Sequence, residues 1–109
     1  MFQKILEKDL KQISSRIAGN STEVKVSIPE DPKFGDYTSN IALQLAKHKD
    51  QNVYHSPIEI ANILTGELSK LAYVEKAEVA GPGFVNIFLK DNLLNLIAIF
   101  LLFKTFLLK

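Results

Sequence analysis

The sequence predicts an α+β fold: a small, at least partly antiparallel sheet covered by helices. Three observations carry that prediction. Apolar residues recur at three- and four-residue steps at the N-terminus. Two strand-like runs late in the chain are separated only by Gly81-Pro82-Gly83. Between these regions, helical and alternating patterns follow one another in the order helix, strand, helix, helix, strand, strand, helix. There is no internal repeat and no low-complexity segment.

Taken in order, Phe2, Ile5, Leu6, Leu10, Ile13 and Ile17 form one apolar stripe, with Lys4, Glu7, Lys8, Lys11 and Gln12 off it. This spacing predicts an amphipathic helix ending near Ala18, with Gly19-Asn20 as its stop. Val24, Val26 and Ile28 alternate with Lys25 and Ser27, which predicts a half-buried strand over residues 23–28, closed by Pro29. Ile41, Ala42, Leu45 and Ala46 share a helical face. Lys47, His48, Lys49 and Asp50 end that helix with mostly positive charge, which suits its C-terminal dipole. Ser56-Pro57-Ile58-Glu59 is a helix start: a serine cap, proline at the first helical position, and a glutamate able to reach back to the cap amide. That helix runs on through Ile60, Ala61, Ile63, Leu64, Leu68 and Leu71. Val74 to Ala80 and Phe84 to Leu89 read as two strands, close enough to form a hairpin.

The stretch from Pro29 to Asn40 organises the rest, because it is neither apolar-periodic nor merely charged. Its two prolines hold the chain extended. Gly35 allows a conformation that a side chain would resist, so a positive φ or a close backbone contact is expected there. Asp36, Thr38, Ser39 and Asn40 can each cap a helix. Asp36 or Thr38 is expected to cap the one that follows. Phe34 and Tyr37 beside Lys33 are more chemistry than a connector needs.

Composition bounds the rest. At 109 residues the chain makes one domain with one modest core, and 47% hydrophobic with 23% charged residues is a globular balance. Without cysteine there is neither a disulfide nor a thiolate metal site. His48 and His55, lacking an acidic or cysteine cluster, read as exposed polar residues, so neither a catalytic nor a metal site is expected. A net charge of +1 is not the basic footprint of a strong nucleic-acid binder, so a polyanion would be met by a local patch or by stacking. Met1-Phe2-Gln3-Lys4 does not open a signal peptide, which favours the cytoplasm.

Alternation gives the last strand two faces. Val85, Ile87 and Leu89 are the natural core face. The other carries Phe84, Asn86 and Phe88: a ring, an amide and a second ring. A ring stacks on a base and an amide reads a base edge. The competing reading has a helix covering both rings and Asn86 satisfying a stray backbone group. On residue types alone that reading leads, because aromatics in strands are usually packing residues.

Three motifs then point in one direction. They are Lys33 to Leu43 (Lys-Phe-Gly-Asp-Tyr-Thr-Ser-Asn-Ile-Ala-Leu), Ser56 to Ala61 (Ser-Pro-Ile-Glu-Ile-Ala), and Val74 to Leu89 with its Gly-Pro-Gly-Phe-Val-Asn centre. Together, in this order and spacing, they resemble the N-terminal additional domain of arginyl-tRNA synthetases over nearly the whole chain to about Asp91. The resemblance implies a domain at residues 1–91 that approaches the D-loop, at the outer corner of tRNA(Arg). Phe84 and Asn86 fall on the family's base-contacting positions, on what is expected to be an outer strand with Phe84 at least partly exposed. Phe88 gains nothing from the resemblance and stays a packing candidate. Lys33 and Lys47, which flank the organising turn and its helix, are candidates for nearby phosphate contacts.

The chain departs from the full-length family in two ways. It has no ATP-binding His-x-Gly-His stretch and no Lys-Met-Ser-Lys-like loop. It is therefore expected to have no catalytic residues and to charge no tRNA alone. ATP and arginine would bind a catalytic domain joined in cis or in trans, and the polypeptide would be an excised domain or a shortened gene product. The second departure is residues 92–109, where Leu93 to Phe103 is almost wholly apolar before Lys104 and Thr105. A membrane span needs about 20 apolar residues, so stable insertion is not expected. A buried helix, a helix docking on the missing domain and a weak membrane anchor remain open, and docking is the favoured expectation. Two functions follow. One is a tRNA-recognition module. The other is a remnant acting in protein interaction or weak membrane association without RNA binding.

Overall fold

The computed structural model describes residues 2–18, 23–47, 56–91 and 93–107. Gly19-Asn20, His48 and His55 lie outside them. Helix α1 (Phe2–Ala18) is followed by a 3₁₀ turn (Pro32–Phe34), strand β1 (Tyr37–Ser39), helices α2 (Ile41–Ala46) and α3 (Pro57–Leu68), strands β2 (Val74–Ala80) and β3 (Phe84–Leu89), and helix α4 (Leu93–Leu107). The sheet is antiparallel throughout in the order β1-β3-β2. This is the small helix-covered sheet that the sequence predicts.

The core lies between one face of that sheet and the helices. Leu6, Leu10 and Ile13 of α1, Ile41 and Leu45 of α2, and Ile60, Leu64 and Leu68 of α3 meet Val85 and Ile87 there. Ile5 does not join them. It stands at the edge of the α1 stripe and is 44% exposed. Two side chains of α1 reach the backbone of the segment before the turn. Gln3 Nε2 donates to Val26 O at 2.8 Å, and Val26 N donates to Glu7 Oε2 at 2.9 Å. A third contact ties α1 to the start of β2: the Tyr73 hydroxyl donates to Asp9, and Phe2 packs edge-on to the Tyr73 ring. Burial, then the Asp9 hydrogen bond and charge, raise the Tyr73 pKa well above its usual 10.0.

The predicted strand over 23–28 is reduced to one bridge, between Ser27 and Thr38. Val24 and Val26 do face the core, but Ile28 is exposed. The named strand lies instead inside the organising stretch, because that stretch is hooked onto β3. Gly35 has φ +106°, and a Cβ there would sit 2.7 Å from Ile87 O. Only glycine allows that approach at that angle. The next residue completes the hook. Asp36 N donates to Ile87 O at 2.9 Å, and its carboxylate accepts from Leu89 N at 2.7 Å. Tyr37, Thr38 and Ser39 are thereby aligned with Ile87, Asn86 and Val85.

Neither Asp36 nor Thr38 caps α2, because both side chains are engaged with β3. Asn40 occupies the cap position without a side-chain cap bond, while Ser39 Oγ accepts from Ile41 N at 3.2 Å. The start of α3 follows expectation, with Ser56 Oγ accepting from Glu59 N and Pro57 opening the helix. In α4, Phe100 to Thr105 are six consecutive exposed residues. Six residues cover every side of a helix, so this part of α4 stands clear of the core.

Candidate nucleic-acid interface

Strand β3 is the central strand, not an outer one. Its two other neighbours in the sheet each present only one edge to it, and its outward side chains therefore lie in the middle of an open sheet face. Val85 and Ile87 point into the core, while Phe84, Asn86 and Phe88 point out. The covered arrangement is not what the fold adopts, because α2 and α3 pack on the Val85 side.

Register defines rows across this outer face. One row runs Ser27, Thr38, Asn86, Glu78. On one side of it Phe84 pairs with Ala80, and on the other Phe88 pairs with Lys76. Lys76 Nζ stands 4.5 Å from the centroid of the Phe88 ring and 3.1 Å from Glu78. Phe88 is thus occupied by its neighbour, whereas Phe84, beside small Ala80, is 39% exposed. The turn before it is held against the start of α3. Gly83 has φ +140°, and a Cβ there would lie 2.9 Å from the Pro57 Cβ.

Asn86 is 7% exposed and sits between two partners of unlike chemistry. Thr38 Oγ1 donates to its Oδ1 at 2.9 Å, which orients the amide. Its Nδ2 makes no hydrogen bond with the described residues. Ser14 Oγ is the single buried side-chain N or O among them without a partner. The Asn86 amide nitrogen therefore still meets solvent, with its hydrogens available to an incoming acceptor.

Beside Phe84 a hollow of about 370 Å³ opens, lined by Lys25, Ser27, Thr38, Asn40 and Gln44 among others. Lys25 was not among the residues singled out from the sequence. Its signal was the alternation Val24-Lys25-Val26, which turns it to the face opposite the core. Lys47 is exposed at the C-terminus of α2, three residues beyond Gln44. Lys33 belongs elsewhere: its turn docks at the Ile87–Leu89 end of β3. It lies 3.7 Å from Asp31 and 5.1 Å from the centroid of the Phe34 ring. The structure thus brings Phe84 and Asn86 together, adds Thr38 and Lys25, and leaves Lys33 at the other end of the strand. Among the described residues, no group of three His, Cys, Asp or Glu side chains could hold a metal ion.

A three-stranded antiparallel sheet with helices on one side and an aromatic-amide strip on the other defines a small α+β domain. Residues 1–89 match the family model of the arginyl tRNA synthetase N terminal domain, and the chain belongs to that family. An arginine–tRNA ligase of Staphylococcus carnosus is 48% identical over 80 residues, covering 72% of this chain and 14% of the ligase. That of Thermotoga maritima is 33% identical over 95 residues, covering 87% and 17%. The chain thus spans about a seventh of the length of such relatives. Among solved structures, the Thermus thermophilus arginyl-tRNA synthetase superposes with a TM-score of 0.65 at 29% identity, covering 86% of this chain and 15% of that one. The Plasmodium falciparum enzyme shares the fold, with a TM-score of 0.73 at 17% identity over 84% of this chain and 16% of that one.

Proposed function

We propose that this chain is the tRNA-recognition module of an arginine–tRNA ligase. It meets the D-loop at the outer corner of tRNA(Arg) and contributes to aminoacylation only together with a catalytic domain, in cis or in trans. ATP and arginine bind that other domain. The observation that supports this most is the half-exposed Phe84 ring beside the Asn86 amide on an uncovered sheet face. Phe84 stacks on one D-loop base. Asn86, oriented by Thr38, donates from Nδ2 to the edge of that base. Lys25, which lines the hollow beside Phe84, meets the adjoining phosphate, and Lys47 and Lys33 are left as phosphate contacts for flanking nucleotides.

A mobility shift with a tRNA(Arg) transcript at low salt tests the reading, since modules that neutralise few phosphates bind weakly. Phe84→Ala should cost about 1–3 kcal/mol of binding. Asn86→Ala should cost less. Exchanging the D-loop base should abolish both penalties, because the contact is then already lost. If neither substitution changes affinity, the reading fails.

A second reading rests on α4, whose Phe100, Leu101, Leu102 and Phe103 are all more than half exposed. In it the chain is an interaction remnant without RNA binding. No helix among the described residues is long and apolar enough to cross a membrane. Absence of any shift with the unaltered chain would favour this second reading.

A further inference from the structure

The outward face of α1 carries a set of charges that folding alone disfavours. At 100° per residue, Lys4, Lys8, Lys11 and Ser15 form one stripe directly opposite Leu6, Leu10 and Ile13. Asp9 is turned away from this stripe and accepts from the Tyr73 hydroxyl, and Glu7, which flanks it, is drawn to Val26 N and forms no ion pair with Lys4 or Lys11. Lys4, Lys8 and Lys11 are exposed and make no ion pair among the described residues. Arg16 extends the patch, 4.0 Å from Glu67.

Two features of this stripe run against helix stability. Like charges at three- and four-residue spacing repel across the helix surface. Lys4 also sits in a first turn that contains no acidic residue, at the positive end of the helix dipole. The one glutamate at helical spacing from Lys4 and Lys11 is Glu7, and its carboxylate is engaged by Val26 N instead.

We infer that the Lys4-Lys8-Lys11 stripe is a second RNA-binding face, which grips the phosphate backbone without reading bases. The inference rests on RNA being the partner of this chain, and it concerns a face other than that of Phe84. The side chains there fit phosphate. A shallow hollow of about 560 Å³ is lined by Lys8, Lys11, Gln12, Ser15 and Arg16. Lys8, Lys11, Gln12 and Arg16 carry N–H donors for it, while the Ser15 hydroxyl already donates to Lys11 O at 2.9 Å. It holds no aromatic residue to stack on a base. It also lacks the apolar centre that a protein interface has, or the broad apolar face that a membrane-surface helix inserts.

The test is the salt dependence of tRNA(Arg) binding by the full chain and by Lys4→Gln/Lys8→Gln/Lys11→Gln. Each phosphate contact adds about 0.7–0.9 to the log–log slope. The triple variant should be shallower by about 2, so the affinity lost between about 50 and about 200 mM salt shrinks about 16-fold. The change should be equal for an unrelated tRNA, and circular dichroism should show α1 intact. An unchanged slope overturns the inference. So does an unchanged slope accompanied by lysine-dependent binding to phosphatidylserine vesicles. If Phe84→Ala still weakens binding while the slope stays fixed, the D-loop contact stands and only the α1 face falls. If the unaltered chain binds no RNA at low salt, both fall.

Discussion

Replacing Gly35 by alanine should damage the fold out of proportion to one added methyl group. At φ +106° and ψ −175° the backbone lies in a region that is essentially glycine-only, where a side chain costs about 1–3 kcal/mol. The new Cβ would also stand 2.7 Å from Ile87 O and 3.2 Å from Ile87 C, both backbone atoms of the central strand. A strand buried in the core cannot retreat, so the turn must lift instead. Lifting it breaks Asp36 N to Ile87 O, worth about 0.5–1.5 kcal/mol, and Leu89 N to the Asp36 carboxylate, worth about 1.5–3 kcal/mol. Whichever response the chain adopts, the loss is about 3 kcal/mol, a large share of the 5–15 kcal/mol typical of a domain. Urea unfolding followed by circular dichroism measures it, and faster amide exchange at Leu89 locates it. Gly66→Ala is the control. Gly66 is in α3 with nothing within 4 Å of a built Cβ, so alanine there should stabilise by about 0.5–1 kcal/mol. If Gly35→Ala costs less than about 0.5 kcal/mol, or if the two substitutions act alike, the hook is not what aligns β1.

Other outcomes are equally concrete. Thr38→Val leaves the buried Asn86 Oδ1 without its donor and should cost about 1–3 kcal/mol in urea unfolding. Tyr73 holds its proton in the fold, so its contribution is fully present below the unfolded value of 10.0 and falls above it, where only the unfolded chain ionises. Tyr73→Phe should therefore be less stable at pH 7 but lose less on going from pH 9.5 to 11, read as melting temperature against pH. Deleting residues 93–109 should leave the fold intact and reduce self-association in sedimentation, since exposed apolar strips drive it. Unfolding of the shortened chain would make α4 part of the core.

What could be read from the sequence was what is fixed locally. Ser56-Pro57 fixes the start of α3 by chemistry within four residues, and the Val74–Leu89 hairpin is bounded by its own Gly81-Pro82-Gly83 turn. The alternation Val85-Asn86-Ile87 already separates core from surface. Strand β1 was not readable, because three residues are too few to show a period and its partner lies 48 residues away. The cap of α2 failed for the same reason. Asp36, Thr38, Ser39 and Asn40 are equally competent caps, and contacts with β3 decide which are free. The place of β3 in the middle of the sheet is a matter of topology that no residue of β3 announces. Thr38 as the partner of Asn86 and Lys25 beside Phe84 become visible only with that register in hand. Ile28 was misplaced because alternation was carried one step beyond the bridge at Ser27.

The order β1-β3-β2 also has a consequence for how the domain is made. The strand that joins the other two is the last to be synthesised. β2 and β3 can zip together through a three-residue turn, a local event. β1 can bridge locally to Ser27, but it must close a loop of nearly 50 residues before it gains a hydrogen bond to β3, at a cost that grows with the logarithm of that length. The hairpin therefore forms early and the Gly35 hook late, so mutations near Ala80 and Phe84 should slow refolding while those at Gly35 and Asp36 mainly speed unfolding. On the ribosome, a nascent chain that stops short of Phe84 has two strands without their shared partner and no sheet. The Phe84–Asn86 strip and the scaffold that displays it thus come into being in the same step.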